Sequence, residues 1–217
     1  MTLFAYLATP LFVLAIAGHA HARGRGGGWD LLHTYTAAAL LAMPCYPLFE
    51  FLAATFPPRV EPRLQFARLL AVDHGVPLIA ASAASLAVHW FRGRGGKRAP
   101  LHAVKLVAAL GGFFSVYAIL DQFAHHADPS LYRLVLLPML RLTAVSGTAY
   151  LLARAARGTR WWVVAVPAIP CATAAVAYAG TLQQPELAAV GGAALLAMTL
   201  PLVFAHSAAE APDETAA

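Results

Sequence analysis

Charged residues are scarce in this sequence: Asp, Glu, Lys and Arg make up 12% of the 217 residues, whereas hydrophobic residues make up 60%. A soluble domain of this size does not combine so few charges with so many long apolar runs. The formal net charge of +5 is not the signature of a nucleic-acid-binding surface, because the basic residues lie mainly in alternate loops between the runs. We therefore expect a membrane protein that has the lipid bilayer, and no nucleic acid, as its partner.

Paired cysteines are also absent from the sequence. The two cysteines, Cys45 and Cys171, lie inside apolar runs and form no CxxC motif. A single cysteine inside an apolar run behaves as a small hydrophobic residue. We therefore interpret both cysteines as core residues rather than as a redox pair.

Seven apolar runs have about the length of roughly 20 residues that one helical crossing of a bilayer requires. They are apolar on all sides, which is typical of membrane helices and not of the alternating strands of a membrane barrel. Because every backbone polar group must be satisfied within the lipid, the sequence predicts an all-α, polytopic bundle of seven transmembrane helices. The predicted spans cover about residues 2–18, 31–56, 68–91, 101–124, 131–153, 161–181 and 187–206.

One domain, residues 1–207, holds all of these spans, and the acidic tail 208–217 is predicted to be disordered. The first run lacks a basic start and precedes a basic, glycine-rich loop, so we expect a retained span rather than a signal peptide. The positive-inside rule then places the N-terminus outside and the C-terminus in the cytoplasm. The basic residues of the three loops assigned to the cytoplasm are Arg23, Arg25, Arg92, Arg94, Lys97, Arg98, Arg154, Arg157 and Arg160.

Three acidic residues, Glu50, Asp73 and Asp121, fall inside the predicted spans. Counted from the span ends at about 1.5 Å per residue, all three lie within roughly 5–9 Å of the same membrane face. We therefore expect carboxylates from three helices to converge on one layer. Intramembrane ionisable residues often mark functional sites. The structural alternative is that each acid is paired with a histidine or with Arg141, which needs a counter-ion.

Aromatic and histidine side chains accompany these acids along the sequence. Tyr46 lies one helical turn before Glu50, and Phe114, Tyr117 and Asp121 share one face of a predicted helix. Such an aromatic stripe is either core packing or the lining of a binding site. The candidate substrate-binding residues are Tyr46, Phe49, Phe114, Tyr117, His74, His125 and Arg141.

The surroundings of Glu50 are typical of a proton donor. A carboxyl group in an apolar environment favours its neutral form, which can give up a proton to a substrate. Aromatic faces stabilise a nearby cation, and a pocket within the membrane excludes water. These properties suit the protonation of an alkene or an epoxide, followed by cationic ring closure.

Four segments of the sequence carry a resemblance to a known family. CYPLFEFLAATFPP, residues 45–58, resembles the aromatic-Glu-Phe motif and exit proline of the small seven-helix membrane terpene cyclases of meroterpenoid and indole-terpenoid pathways. VDHGV, ADPSLYR and LLARAARGTRWW resemble further segments of that family, in order within about residues 35–165. The resemblance implies that Glu50 is the essential acid and that the substrate is a hydrophobic, prenylated aromatic compound. It also implies that the reaction needs no metal and no other cofactor.

The chain departs from this family in its last span. The family's second acid lies in the last helix, and the matching position here is near Thr199, in a span without a carboxylate. We therefore expect Asp73 or Asp121 to take over that role. Asp73 occupies the place of an asparagine in fungal members. The sequence also lacks the DDxxD motif of magnesium-dependent prenyltransferases, which agrees with a reaction that does not ionise a diphosphate.

The sequence thus predicts a terpene cyclase of secondary metabolism, an isomerase in which Glu50 is the general acid. Asp73 and Asp121 are expected to set its protonation state or to accept the final proton. Two other classes stay open. One is a small carrier or complex subunit that binds protons or cations at the intramembrane acids. The other is a membrane oxidoreductase, with a metal held by acids and histidines or a haem held by His33 and His89.

Overall fold

The computed structural model describes residues 2–22, 28–57, 61–92, 102–124, 130, 132–156, 162–182 and 184–209. Within these ranges the regular structure is entirely helical, which confirms the all-α prediction. We name the π-helical turns, in which hydrogen bonds join residues five apart, π1 and π2. In chain order the elements are α1 (Thr2–Ala22), α2 (Gly28–Thr55), α3 (Pro62–Arg68), π1 (Leu69–Gly75), α4 (Val76–Arg92), α5 (Ala103–Ala124), π2 (Tyr132–Leu136), α6 (Leu137–Ala156), α7 (Trp162–Ala165), α8 (Ala168–Thr181) and α9 (Pro185–Ala209).

Within the described residues, five helical segments are long and apolar enough to cross a membrane, which indicates a multi-pass membrane protein. Two further apolar segments are shorter within the described residues: Ala168–Thr181, and Tyr6–His19, which is part of the 21-residue helix α1. The predicted span 161–181 is divided into α7 and α8. Pro167, the N-cap residue of α8, has no N–H with which to continue the hydrogen bonds of α7. The five long segments are Trp29–Thr55, Pro62–Phe91, Ala103–Ala124, Tyr132–Ala156 and Pro185–Ala205.

Helix α5 lies at the centre of the bundle and contacts α1, α2, α4 and α6. Small residues let the neighbouring helices approach it closely, as is common where membrane helices pack. A Cβ atom on Gly112 would collide with the backbone carbonyl of Tyr35 in α2, and one on Gly111 would collide with Val13 in α1. The packing of three helices therefore depends on this glycine pair.

The two π-helical turns each end two residues before a proline. Pro77 follows π1 and Pro138 follows π2 in this way. A proline inside a helix lacks an N–H, and its ring clashes with the carbonyl four residues earlier, so a wider turn at that point relieves the clash. Gly75 permits the wider turn in π1, because a Cβ there would lie 2.6 Å from the Leu70 carbonyl oxygen.

Several sequence predictions concern residues outside the described ranges. They include most of the basic residues that carry the predicted orientation, and His125. Helix α9 extends to Ala209, and the rest of the tail predicted to be disordered, residues 210–217, also lies outside.

We expect Gly112→Ala to destabilise the bundle, because the added methyl group would collide with backbone rather than with a movable side chain. The expected loss in the free energy of unfolding is about 1–3 kcal/mol, as for overpacked cores. Unfolding of the purified protein by SDS in mixed micelles, followed by circular dichroism, measures this loss.

The matched control is Gly18→Ala, since a Cβ on this exposed helical glycine would meet nothing within 4 Å. Alanine is the better helix former by about 1 kcal/mol, so this variant should be at least as stable as the original chain. Equal stabilities of the two variants would contradict the close approach of α2 and α5.

Candidate functional site

A cavity of about 340 Å³ lies between the junction of α3 with π1, the last turns of α5 and α8, and π2 with the first turns of α6. It is therefore located at one end of the bundle. The described residues of its wall include three guanidinium groups and two carboxylates, which is an excess of one positive charge among them. We call it the charged cavity, and its charged lining residues are Arg68, Asp73, Asp121, Arg133 and Arg141.

Asp121 is held between two arginines. Its Oδ2 atom accepts a hydrogen bond from Arg141 Nη2 at 2.6 Å, and its Oδ1 atom accepts one from Arg133 Nη1 at 3.3 Å. The side chains of Asp121 and Arg141 are only 9% and 7% exposed. Gln122, the next residue on α5, donates a hydrogen bond to the Arg133 carbonyl at 3.2 Å. These bonds join α5, π2 and α6 around one ion pair, and Asp121 is the counter-ion that Arg141 needs.

Asp73 forms a second ion pair within the same cavity. Its Oδ2 atom lies 2.6 Å from Arg68 Nη1, and Arg68 Nε donates to the Phe56 carbonyl at 2.7 Å. A spacing of five residues separates two side chains on an α-helix but brings them together on a π-helix. The π1 turn therefore creates this ion pair. The hydrogen bond from Arg68 to the Phe56 carbonyl attaches the end of α2 to the end of α3.

Tyr117 connects the charged cavity to a group of aromatic side chains. Its ring lies 5.4 Å from that of Phe49 and 5.7 Å from that of Tyr46, measured between ring centroids. The guanidinium carbon of Arg141 lies 5.0 Å from the centre of the same ring, a cation–π contact. We call Tyr46, Phe49, Phe113, Phe114 and Tyr117 the aromatic cluster.

Glu50 is half-buried beside the aromatic cluster and is not part of the lining of the charged cavity. It lies one turn after Tyr46 on α2, and its carboxylate is within electrostatic range of the buried Tyr46 hydroxyl. Glu50, Asp73 and Asp121 are all within electrostatic range of the Tyr117 hydroxyl. The three acids near Tyr117 thus lie in two environments: Glu50 lies beside the aromatic cluster, whereas Asp73 and Asp121 lie beside arginines.

His74, next to Asp73, is half-buried, and its buried Nε2 atom has no hydrogen-bond partner among the described residues. A second cavity of about 20 Å³, lined in part by His74, Arg141 and Thr173, adjoins it. This volume is about that of one water molecule. His125, predicted to stack above Asp121, lies outside the described residues.

The position that carries the second acid in the resembling family lies away from this site. The Thr199 hydroxyl accepts a hydrogen bond from Ser146 at 2.9 Å, between α6 and α9. Ser146 is fully buried, and its hydroxyl also contacts the Leu142 carbonyl at 2.8 Å. These hydroxyls therefore join two helices.

Two of the cavity's arginines, Arg68 and Arg133, were not among the site residues predicted from the sequence. Arg133 lies 12 residues after Asp121, on the far side of a chain reversal, and Arg68 lies five residues before Asp73. Only the residue spacing of a π-helix predicts the pairing of Arg68 with Asp73. The prolines at positions 77 and 138 are the available sequence signal for such turns. Among the described residues, no group of three or more His, Cys, Asp or Glu side chains is placed to hold a metal ion.

We expect Asp121→Asn to cost about 3–5 kcal/mol in the free energy of unfolding, because it leaves the buried Arg141 charge without its counter-ion. The double substitution Asp121→Leu with Arg141→Met removes both charges and should recover most of that loss. Both values follow from SDS unfolding in mixed micelles.

The matched control is Asp30→Asn, which breaks the partly exposed pair of Asp30 with Lys105 at 3.1 Å. Solvent-exposed ion pairs contribute at most about 1 kcal/mol, so this variant should remain close to the original stability. A loss at Asp121 no larger than the loss at Asp30 would show that the buried pair does not hold the site together.

Comparisons with known proteins do not assign this chain to a family. No family model, no curated protein and no solved structure matches it. Its function is therefore inferred from the charged cavity, the aromatic cluster and Glu50, together with the motifs of the sequence.

Proposed function

We propose that this protein is a membrane terpene cyclase that protonates an alkene or epoxide of a prenylated aromatic compound and closes rings through a cation. The observation that carries the proposal is the position of Glu50 beside the aromatic cluster, within helices long and apolar enough for a membrane. A proton donor, aromatic faces and an apolar surrounding are the three requirements of this chemistry.

In the proposed reaction Glu50 gives its proton to the terminal double bond, or to the oxygen of a terminal epoxide. The resulting cation is attacked by the next double bond, so a carbon–carbon bond forms and the positive charge moves along the chain. The faces of Tyr46, Phe49 and Tyr117 stabilise this charge by their quadrupoles. Loss of a proton from the last cation gives a product with the mass of the substrate.

Asp73 and Asp121 suit the opposite role in this reaction, that of a base. Each carboxylate accepts a hydrogen bond from an arginine at 2.6 Å. An ionised carboxylate accepts a proton, and both acids lie within electrostatic range of Tyr117. We therefore assign the final proton to this pair and the first proton to Glu50.

We further propose that the chain crosses the membrane seven times, with the N-terminus outside and the C-terminus in the cytoplasm. The proposal is supported by the five long apolar helices and the two shorter ones. The concentration of basic residues in alternate loops of the sequence supports the orientation.

A second candidate is a non-enzymatic carrier for a charged amphiphile. The observation in its favour is that the charged cavity is lined by Asp73, Asp121 and three arginines, whereas Glu50 lies outside it. Transport would use the cavity alone and would leave the ligand chemically unchanged. Flux of a labelled amphiphile into liposomes, without conversion, favours this candidate over the cyclase.

We expect Glu50→Gln to reduce cyclisation by at least about 10²–10⁴-fold, because an amide of the same shape cannot supply the first proton. Membranes that contain the protein are incubated with farnesylated and geranylgeranylated indoles and phenols, with and without a terminal epoxide. Liquid chromatography with mass detection then identifies a product of unchanged mass and altered retention time.

The matched control for this experiment is Glu61→Gln, which makes the same change at an exposed glutamate near the same end of the bundle. Its activity should equal that of the original protein, and circular dichroism should show that both variants are folded. Normal cyclisation by Glu50→Gln would exclude Glu50 as the acid.

The proposed orientation predicts that a fluorescent protein fused after Ala217 is active, because it folds in the cytoplasm. Alkaline phosphatase, which matures only outside, should be active when fused before Met1. The reverse pattern of the two reporters would overturn the orientation without affecting the proposed reaction.

A further inference from the structure

We propose that the charged cavity binds the anionic group, a carboxylate or a phosphate, of an amphipathic ligand. This inference goes beyond the cyclase, whose proposed chemistry takes place at Glu50 and the aromatic cluster. Only the identification of the anion as the head group of a cyclase substrate rests on the proposed function.

The charge of the cavity is the first observation. Among the described residues that line the cavity, three guanidinium groups and two carboxylates surround about 340 Å³, so these residues together carry one positive charge in excess. A bound monoanion would cancel this excess. Arginine matches carboxylate and phosphate oxygens with two parallel N–H donors, which makes these two groups the best fit among anions.

The second observation is the state of Arg141. This residue is 6% exposed, and Nη2 is used by Asp121, but Nη1 has no hydrogen-bond partner among the described residues. A buried charged donor without a partner is costly, and in native structures such a group usually points to a bound species. Because the Tyr117 ring covers one face of the Arg141 guanidinium, the orientation of the guanidinium N–H donors is fixed before a ligand binds.

The third observation is the mixed character of the cavity wall. Leu69, Leu137 and Gly180 supply apolar surface beside the arginines, and the volume is within the range of small-molecule sites. Tyr117 belongs both to this wall and to the aromatic cluster. The charged cavity and the aromatic cluster therefore share the side chain of Tyr117.

Titration calorimetry on the purified full chain in phosphatidylcholine nanodiscs tests this inference. The probes are octanoate, octyl phosphate, octanol and inorganic phosphate, which separate the anionic group from the chain. We expect octanoate and octyl phosphate to bind at least about tenfold more tightly than octanol and inorganic phosphate. Equal binding of octanol would reduce the site to an apolar cleft, and equal binding of inorganic phosphate would exclude the amphipathic ligand.

Two pairs of variants locate the binding in the cavity. Arg133→Gln removes a lining charge and leaves the pair of Asp121 with Arg141 in place, whereas Arg63→Gln removes an exposed charge near the same end of the bundle. We expect about a tenfold loss of octyl phosphate affinity in the first variant and none in the second. Equal losses would assign the effect to general surface charge and overturn the proposal.

The second pair changes Thr181, an exposed residue at the cavity. Thr181→Glu brings the cavity to neutrality and should weaken octyl phosphate binding about tenfold, whereas Thr181→Gln, of nearly the same size, should not. This pair keeps the arginines intact, so it tests the proposal even where Arg133→Gln does not fold. Unchanged binding in Thr181→Glu would overturn it.

The source of the anion is distinguished by repeating the titration in nanodiscs that contain phosphatidylglycerol. Competition by this lipid assigns the site to a lipid head group, and undiminished binding assigns it to a substrate. Glu50→Gln should bind octyl phosphate normally while it loses cyclisation. A protein that binds the probe but cyclises nothing would reject the cyclase alone, and cyclisation without anion binding would reject this inference alone.

Discussion

The ion pair between Asp121 and Arg141 is the interaction on which the arrangement of the site depends. A guanidinium buried in an apolar bundle requires a counter-ion, and Asp121 supplies it at 2.6 Å between α5 and α6. Arg133 reaches the other oxygen of the same carboxylate from π2. The cation of Arg141 also lies against the ring of Tyr117, so this one pair fixes the aromatic side chain that borders both parts of the site.

Irregular helix geometry brings the remaining charges to the same place. The prolines at positions 77 and 138 each follow a π-helical turn, and these turns carry Asp73 and Arg133 into the cavity. Gly75 makes the first turn possible, since a larger residue would meet the Leu70 carbonyl. The regular helices α5 and α6 supply the rigid support, because both are buried along most of their length.

The all-helical architecture could be predicted from the sequence, because it depends on the length and polarity of the apolar runs. The division of the acids into two environments could not. The spacing of Arg68 and Asp73 predicts different faces on an α-helix, and only a π-helix pairs them. Arg133 and Asp121 are joined across a chain reversal, which local spacing does not describe. More charged side chains therefore meet around one cavity than the local spacing of these residues in the sequence predicts.

Tyr117 belongs both to the wall of the arginine-rich cavity and to the aromatic cluster beside Glu50, and the proposed reaction begins with a proton from Glu50. The most direct test is cyclisation of an alkene-terminated prenyl indole or phenol in D₂O. We expect an isomer that carries one carbon-bound deuterium at the former terminal double bond and that is not formed by Glu50→Gln. An isomer without deuterium, or an equally labelled one from Glu50→Gln, would contradict this expectation.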